Sequence, residues 1–242
     1  MRIHILGIGG VFMAGVAKLA QELGHFVSGS DNTLYPPMSA VLSSLDIQVS
    51  PYSDLSVFDS NPDQIIIGNS ITRGNPSVEY VLNKGIDLVS GPQWIKSNVL
   101  QNRHVIAVAG THGKTTVSSL VAWLLEKAGL NPGFLVGGLA ENFNCSARLG
   151  VGKCFVIEAD EYDTSFFDKR SKFVHYKPDT LIINNLEYDH ADIFADLEAI
   201  RNQFHQLLRT MSEKSQIILP TPCPEIDHLV TMGCWSQITR FG

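Results

Sequence analysis

The segment Val105-Ile106-Ala107-Val108-Ala109-Gly110-Thr111-His112-Gly113-Lys114-Thr115-Thr116 constrains this chain more than any other. Its first five residues, small or β-branched and all apolar, predict a strand buried on both faces, as parallel strands are. A glycine turn follows, and the run 117–128 predicts a helix. Strand, glycine loop and helix in that order make a polyphosphate site. Gly110 and Gly113 let the main chain come close to a phosphate, which the N–H groups of 110–115 attract. Lys114 adds a point charge for the outer phosphates, and the Thr115 hydroxyl is placed to hold Mg²⁺. The candidate nucleotide-binding residues are therefore Gly110, Thr111, His112, Gly113, Lys114, Thr115 and Thr116. The segment departs from the general phosphate-loop pattern at Val108, where that pattern has a glycine.

A chain of 242 residues, 44% hydrophobic and 17% charged, has room for one large or two ordinary domains with ample core. Its net charge of -6 argues against a non-specific nucleic-acid binder, which needs clustered Lys and Arg. No apolar run reaches the ~18 residues of a membrane span. Gly7, Gly9, Gly10 and Gly15 interrupt the apolar N-terminus, so a strand is expected there instead of a signal peptide. The expected setting is the cytoplasm, without a membrane partner. Cys145, Cys154, Cys223 and Cys234 form no C-x-x-C pair and are expected to be reduced and mainly packing residues.

Residues 1–100 form a first α/β unit. A strand at 3–6 runs into Gly7-Ile8-Gly9-Gly10, a helix through 13–23 follows, and a strand at 25–28 ends in Gly29-Ser30-Asp31. This resembles the opening of a dinucleotide fold, with glycines for a diphosphate and an acidic residue about 20 positions on. Phe12 at the third glycine position suits NAD poorly and points to a different diphosphate. Further strands are expected at 47–49 and 64–68. The loop after the second, with Asn69, Ser70, Thr72 and Arg73, lies where open α/β sheets bind ligands. A helix at 77–83, a strand at 87–89 and a helix at 92–100 complete the unit.

The polar segment 101–104 is the expected boundary, and 101–242 the second unit. After the phosphate loop, a strand at 154–157 delivers Glu158, Asp160, Glu161 and Asp163. A strand at 180–183 delivers the segment ending in Asp189-His190, and a helix at 197–211 and a strand at 216–219 follow. Residues 221–242 are expected to be irregular. Three parallel strands thus end in Gly-Lys-Thr, an acidic cluster and an Asp-His pair, which converge on one crevice. Glu158 is the best placed carboxylate for Mg²⁺, and His190 a candidate for a second metal site. Lys169, Arg170 and Lys172 either bind an anionic substrate or solvate a surface.

Gly110 to Thr116, Glu158-Ala159-Asp160-Glu161 and Glu187-Tyr188-Asp189-His190 resemble the ATP-site motifs of the Mur ligases, the amino-acid-adding enzymes of peptidoglycan assembly. The segments 68–76, 90–94 and 166–176 are similar to the branch that returns recycled cell-wall tripeptide to the precursor pool. The resemblance implies a Rossmann-like UDP-sugar domain over 1–100, then the first part of a P-loop-type parallel-sheet ATPase domain over 101–242. It implies an ATP-dependent amide-bond ligase acting through an acyl phosphate. Its substrates would be ATP, UDP-N-acetylmuramate and the tripeptide L-alanyl-γ-D-glutamyl-meso-diaminopimelate. Lys114, Glu158 and His190 would be catalytic, and Thr115, Glu158 and His190 would hold Mg²⁺. Gly7, Gly9, Gly10, Ser30, Asp31, Asn69, Ser70 and Arg73 would meet the UDP-sugar. The family also has a longer ATPase domain and an amine-binding domain. The chain is accordingly expected to be part of a longer one, and inactive alone. Alternatives are the branch that adds L-alanine, a non-catalytic UDP-sugar and ATP-binding module, and a kinase acting on a small acid.

Overall fold

The computed structural model describes residues 1–188, 194 and 196–242; His190 and Asp189 lie outside the described residues. The first sheet is parallel throughout. It is built from β1 (Arg2–Leu6), β2 (Phe26–Ser30), β3 (Val49–Ser50), β4 (Gln64–Ile67) and β5 (Leu88–Ser90), in the order β3-β2-β1-β4-β5. β1 therefore lies between β2 and β4, with Ile5 opposite both Gly29 and Ile66. The period-2 alternation of a strand sends Ile3 and Ile5 to one face, against α1 (Val11–Glu22), and His4 and Leu6 to the other, towards Phe58. A short helix α2 (Met38–Ser44) precedes β3. Helix α3 (Pro76–Lys84) starts on an Asn75 cap with proline at its first position. Helix α4 (Gly91–Asn98) starts on a Ser90–Gln93 capping box.

The second sheet has β6 (His104–Ala109) at its centre. Helix α5 (Lys114–Lys127) leads to β7 (Gly133–Ala140), β8 (Cys145–Arg148) and β9 (Cys154–Glu158). A small antiparallel pair, β10 (Asp163–Ser165) and β11 (Asp168–Ser171), stands outside the sheet. Then come β12 (Thr180–Ile183), α6 (Leu197–Leu208), β13 (Gln216–Pro220), α7 (Pro224–Thr231) and β14 (Gln237–Phe241). The order is β14-β13-β12-β6-β9-β7-β8, with only β8 antiparallel to its neighbour. β12 and β9 flank β6, both parallel to it, so all three deliver their loops to one edge, the convergence that the sequence predicts.

The expectation for 221–242 fails: this stretch forms α7 and β14, the latter parallel to β13. Every residue of β14 is exposed at the sheet edge, so it has no buried face to read. Helix α7 does carry a short apolar stripe at Ile226, Leu229 and Val230, spaced i, i+3 and i+4, which the sequence reading missed in a helix of eight residues without a side-chain cap.

One apolar core runs through both units, from Ile3, Ala14 and Trp94 to Leu135, Ala147 and Phe155. Helix α1 makes the join. At Gly15 a Cβ would stand 2.3 Å from Leu135 Cδ1 and 3.4 Å from the Ala147 Cβ, so the helix meets the second sheet with bare backbone. At its far end Glu22 Oε2 accepts the Leu149 N–H at 2.6 Å. The four cysteines are free thiols, each half-buried. No helix among the described residues is long and apolar enough to cross a membrane.

Candidate functional site

The loop between β6 and α5 needs its glycines. Gly110 has φ +137° and Gly113 φ +77°, and a Cβ on Gly113 would lie 2.8 Å from Asn184 Nδ2. The chain after β12 clamps this loop. His112 N–H donates to Asn185 Oδ1 at 2.8 Å, and the Asn184 and Asn185 amides donate to the His112 carbonyl at 2.8 and 3.1 Å. Thr111 Oγ1 accepts the Glu187 N–H at 2.8 Å. The Thr111 and His112 N–H groups are thus both committed to Asn185, which corrects the expectation that all of 110–115 wrap a phosphate. The open donors sit at the start of α5. No side chain caps it, and the first helical bond there runs from Val117 N–H to the Gly113 carbonyl at 3.0 Å. Lys114, Thr115 and Thr116 therefore present N–H groups at the positive end of the helix dipole.

Lys114 is buried and its ammonium is well supplied. It donates to the Gly110 carbonyl at 2.8 Å and to Glu161 Oε2 at 2.9 Å, with Asp160 Oδ1 at 3.9 Å. Glu158 ends β9 on the other side of the loop, where Oε2 accepts the Gly137 N–H at 2.7 Å and Thr115 supplies a side-chain hydrogen bond. Burial raises the Glu158 pKa; the bonds from Gly137 and Thr115 oppose that, and Asp160 adds to it. β7 passes this carboxylate as bare main chain. A Cβ on Gly137 would stand 2.6 Å from Glu158 Oε1, and one on Gly138 3.4 Å from Thr115 Cγ2. Sequence reasoning assigned no role to this glycine pair.

The four acidic residues from the end of β9 onward separate by partner. Glu158 faces Thr115, Glu161 holds Lys114, and Asp163 pairs with exposed Lys169 at 2.8 Å. Asp160 lies between Lys114 and Lys172, at 3.9 and 3.5 Å. Among the described residues no three His, Cys, Asp or Glu side chains converge on a metal position. Thr115 and Glu158 still offer two adjacent oxygens, a donor set that fits Mg²⁺ shared with nucleotide phosphates and water. Of the three basic residues singled out, Lys169 and Arg170 make surface pairs with Asp163 and Asp168, and Lys172 turns inward.

The first sheet brings its candidate residues to the carboxyl ends of β1, β2 and β4, beside the switch point of the strand order. Gly7 N–H donates to the Ser30 carbonyl at 2.9 Å, and Gly9 N–H to Asp31 Oδ2 at 2.8 Å. Helix α1 begins at Gly10 without a side-chain cap, so its first N–H groups are open as in α5. Asp31 braces the glycine loop and also takes a hydrogen bond from Tyr52, whose pKa burial and this carboxylate raise. Ser30 is fully buried with its hydroxyl on His4 Nε2 at 2.9 Å, so it shapes the loop through its carbonyl and offers no hydroxyl to a ligand. Asn69 and Ser70 form a turn beside Gly7, where Ile71 would lie 3.2 Å from a Gly7 Cβ. Arg73 is turned away to Glu79, with Nε at 2.9 Å and Nη2 at 3.0 Å. A cavity of about 360 Å³ lies elsewhere, lined by Arg2, His4, Phe26, Ser28 and Ser56 at the starts of β1 and β2. No candidate residue lines it.

Residues 2–103 match the family model described as Mur ligase family, catalytic domain, and 108–233 match Mur ligase middle domain. The chain is 56% identical over 237 residues to the Escherichia coli (strain K12) UDP-N-acetylmuramate--L-alanyl-gamma-D-glutamyl-meso-2,6-diaminoheptandioate ligase, covering 98% of this chain and 52% of that one. It is 34% identical over 228 residues to the UDP-N-acetylmuramate--L-alanine ligase of Neisseria gonorrhoeae, covering 94% and 46%. The crystal structure of UDP-N-acetylmuramate:L-alanyl-gamma-D-glutamyl-meso-diaminopimelate ligase from Neisseria meningitides is similar at a TM-score of 0.94 and 51% identity, covering 100% of this chain and 78% of that one. The chain spans about half the length of the curated relatives it matches. With family models matching 2–103 and 108–233 in succession, this chain belongs to the Mur ligase family.

Proposed function

We propose that this chain is the UDP-sugar-binding and ATP-binding part of a ligase that joins UDP-N-acetylmuramate to L-alanyl-γ-D-glutamyl-meso-diaminopimelate. Residues 1–100 take the UDP-sugar and 101–242 the ATP. The observation that carries this reading is that α1 and α5 each start, without a side-chain cap, on a glycine loop at the carboxyl end of a parallel strand, Gly10 after β1 and Gly113 after β6, the arrangement that suits a diphosphate or triphosphate. The higher identity to the tripeptide ligase than to the L-alanine ligase, 56% against 34%, favours the recycling branch.

In the proposed reaction an oxygen of the lactyl carboxylate attacks the γ-phosphorus of ATP. The bond to the β,γ-bridging oxygen breaks and ADP leaves, giving an acyl phosphate. The tripeptide amine then attacks the acyl carbon, phosphate departs and the nitrogen releases a proton. This chain contributes charge and position. The N–H groups of Lys114, Thr115 and Thr116 and the Lys114 ammonium bind the phosphates and stabilise the transferring group. Thr115 and Glu158 would hold Mg²⁺, which supplies positive charge to the phosphate oxygens. His190 is assigned as a further metal ligand on its motif alone. ATP, a UDP-sugar and free thiols at Cys145 and Cys154 suit a cytoplasmic setting.

Calorimetry on this chain tests the binding half: UDP-N-acetylmuramate should bind saturably, and so should an ATP analogue with Mg²⁺. Saturable NADH binding without any response to the UDP-sugar would overturn the assignment of the first unit. A full-length ligase carrying this sequence should release phosphate with the tripeptide. Turnover with L-alanine instead would move the protein to the other branch.

A further inference from the structure

Lys172 begins the 3-10 turn Lys172–His175 after β11, and it is only 6% exposed. Its ammonium reaches one acceptor among the described residues, Asp160 Oδ2, and that contact is long at 3.5 Å. The rings of Phe12 and Tyr162 stand over it, with centroids at 5.2 and 5.5 Å. An ammonium has three donors to place, and a buried one must have anionic company. Lys114 has what Lys172 lacks, with Glu161 and the Gly110 carbonyl close around its Nζ.

The position is as informative as the shortage. Phe12 lies in the first turn of α1, directly after the glycine loop, and is wedged so that a Cβ on Gly91 would come within 2.8 Å of its Cε1. Asp160 reaches from Lys172 to Lys114 at the start of α5. Lys172 therefore stands where the glycine loop of the first unit meets the phosphate loop of the second. A ligand spanning the two loops would pass this point. Phe12, the bulky residue at a position that dinucleotide folds give to glycine, forms the wall against which the cation sits.

We propose that Lys172 is a substrate-binding residue that receives the carboxylate of the UDP-sugar and holds it between the two loops. This rests on the proposed ligase function. The test compares UDP-N-acetylmuramate with UDP-N-acetylglucosamine, which lacks the lactyl carboxylate, by calorimetry on this chain. The unsubstituted chain should prefer the former. Lys172→Met should reduce that preference at least tenfold and leave affinity for UDP-N-acetylglucosamine within twofold, while Lys172→Arg should retain part of it. A lysine that merely pins the two units together would weaken both sugars alike, or neither, and that result would overturn the proposal. Should Lys172→Met fail to fold, Asp160→Asn decides: removing the competing carboxylate should increase the preference, and an unchanged preference sinks the idea. If the unsubstituted chain binds neither sugar, the function reading falls and this inference with it; if it binds both equally, the carboxylate is not recognised and this inference alone falls. If the preference exists and survives Lys172→Met, only the role of Lys172 is lost.

Discussion

Lys114 Nζ lies 2.9 Å from Glu161 Oε2 with both side chains buried, so the cation expected on a nucleotide phosphate is held by a carboxylate beneath the loop. Removing one partner of a buried pair costs about 3–5 kcal/mol when the other charge is left alone. Glu161→Gln keeps a hydrogen-bonding oxygen and should fall at the lower end of that range. ATP would then supply the missing anion. Its addition should raise the melting temperature more in Glu161→Gln than in the unsubstituted chain, because ligand that binds only the folded state stabilises it. An equal or smaller rise would mean that Lys114 stays with residue 161 when nucleotide binds.

Gly137→Ala probes the other wall of the site. Its Cβ would stand 2.6 Å from Glu158 Oε1, which forces the carboxylate off the Gly137 N–H and away from Thr115. Overpacking of this kind costs about 1–3 kcal/mol of stability. The larger effect should be on nucleotide: the Mg²⁺ concentration needed for ATP-analogue binding should rise at least tenfold. UDP-sugar affinity should change far less, since neither the glycine loop of the first sheet nor Lys172, the groups proposed to hold that ligand, touches Gly137. An unaltered Mg²⁺ requirement would remove Glu158 from the metal site.

The parts of this architecture that were legible share one cause. Residues 105–109, 154–157 and 180–183 are largely buried between the layers, so they stand out as apolar runs, and each leads into a strand-end loop. The clamp on the phosphate loop was not legible. His112 is held by Asn184 and Asn185, more than seventy residues on, through side-chain bonds that no spacing rule encodes. Gly137 is a glycine because of Glu158, twenty-one residues later, which is equally invisible before the fold is known. Ser30 sits at a strand end in the sequence, but the pairing of β2 with β1 turns its hydroxyl inward to His4.

His4 makes the stability of the first unit depend on pH. Burial pushes its pKa from 6.5 down to about 4, and both ring nitrogens are engaged, with Ser28 Oγ at 2.8 Å and Ser30 Oγ at 2.9 Å. The folded state therefore keeps the ring neutral where the unfolded chain binds a proton. Stability from this group is complete above pH 6.5 and is lost as the pH falls towards 4. Between pH 7.5 and 5 the loss should be about 2 kcal/mol, an order-of-magnitude figure from the two pKa values. Urea unfolding at both pH values should show that His4→Asn, which does not titrate, loses less than the unsubstituted chain. Identical pH slopes would mean that His4 titrates normally in the folded protein. The comparison between variants also removes the contribution of Glu158, whose raised pKa acts with the opposite sign.

Gly15 tests whether the two sheets are held as one body by α1. Alanine in a helix interior is favoured over glycine by about 1 kcal/mol, so Gly15→Ala on a free helix face would stabilise. Here the added Cβ would stand 2.3 Å from Leu135 Cδ1 inside the shared core, and overpacking of about 1–3 kcal/mol should win. The expected net result is a loss of stability of up to about 2 kcal/mol, by those same two terms. Leu135→Ala removes the clashing methyl, and alone costs about 2–5 kcal/mol through the cavity it leaves. The double variant should be less destabilised than the sum of the two by about 1 kcal/mol or more, since each substitution makes room for the other. Additivity within about 0.5 kcal/mol in a denaturant cycle would show that Gly15 and Leu135 do not touch in solution. The join between the units would then have to lie elsewhere on α1.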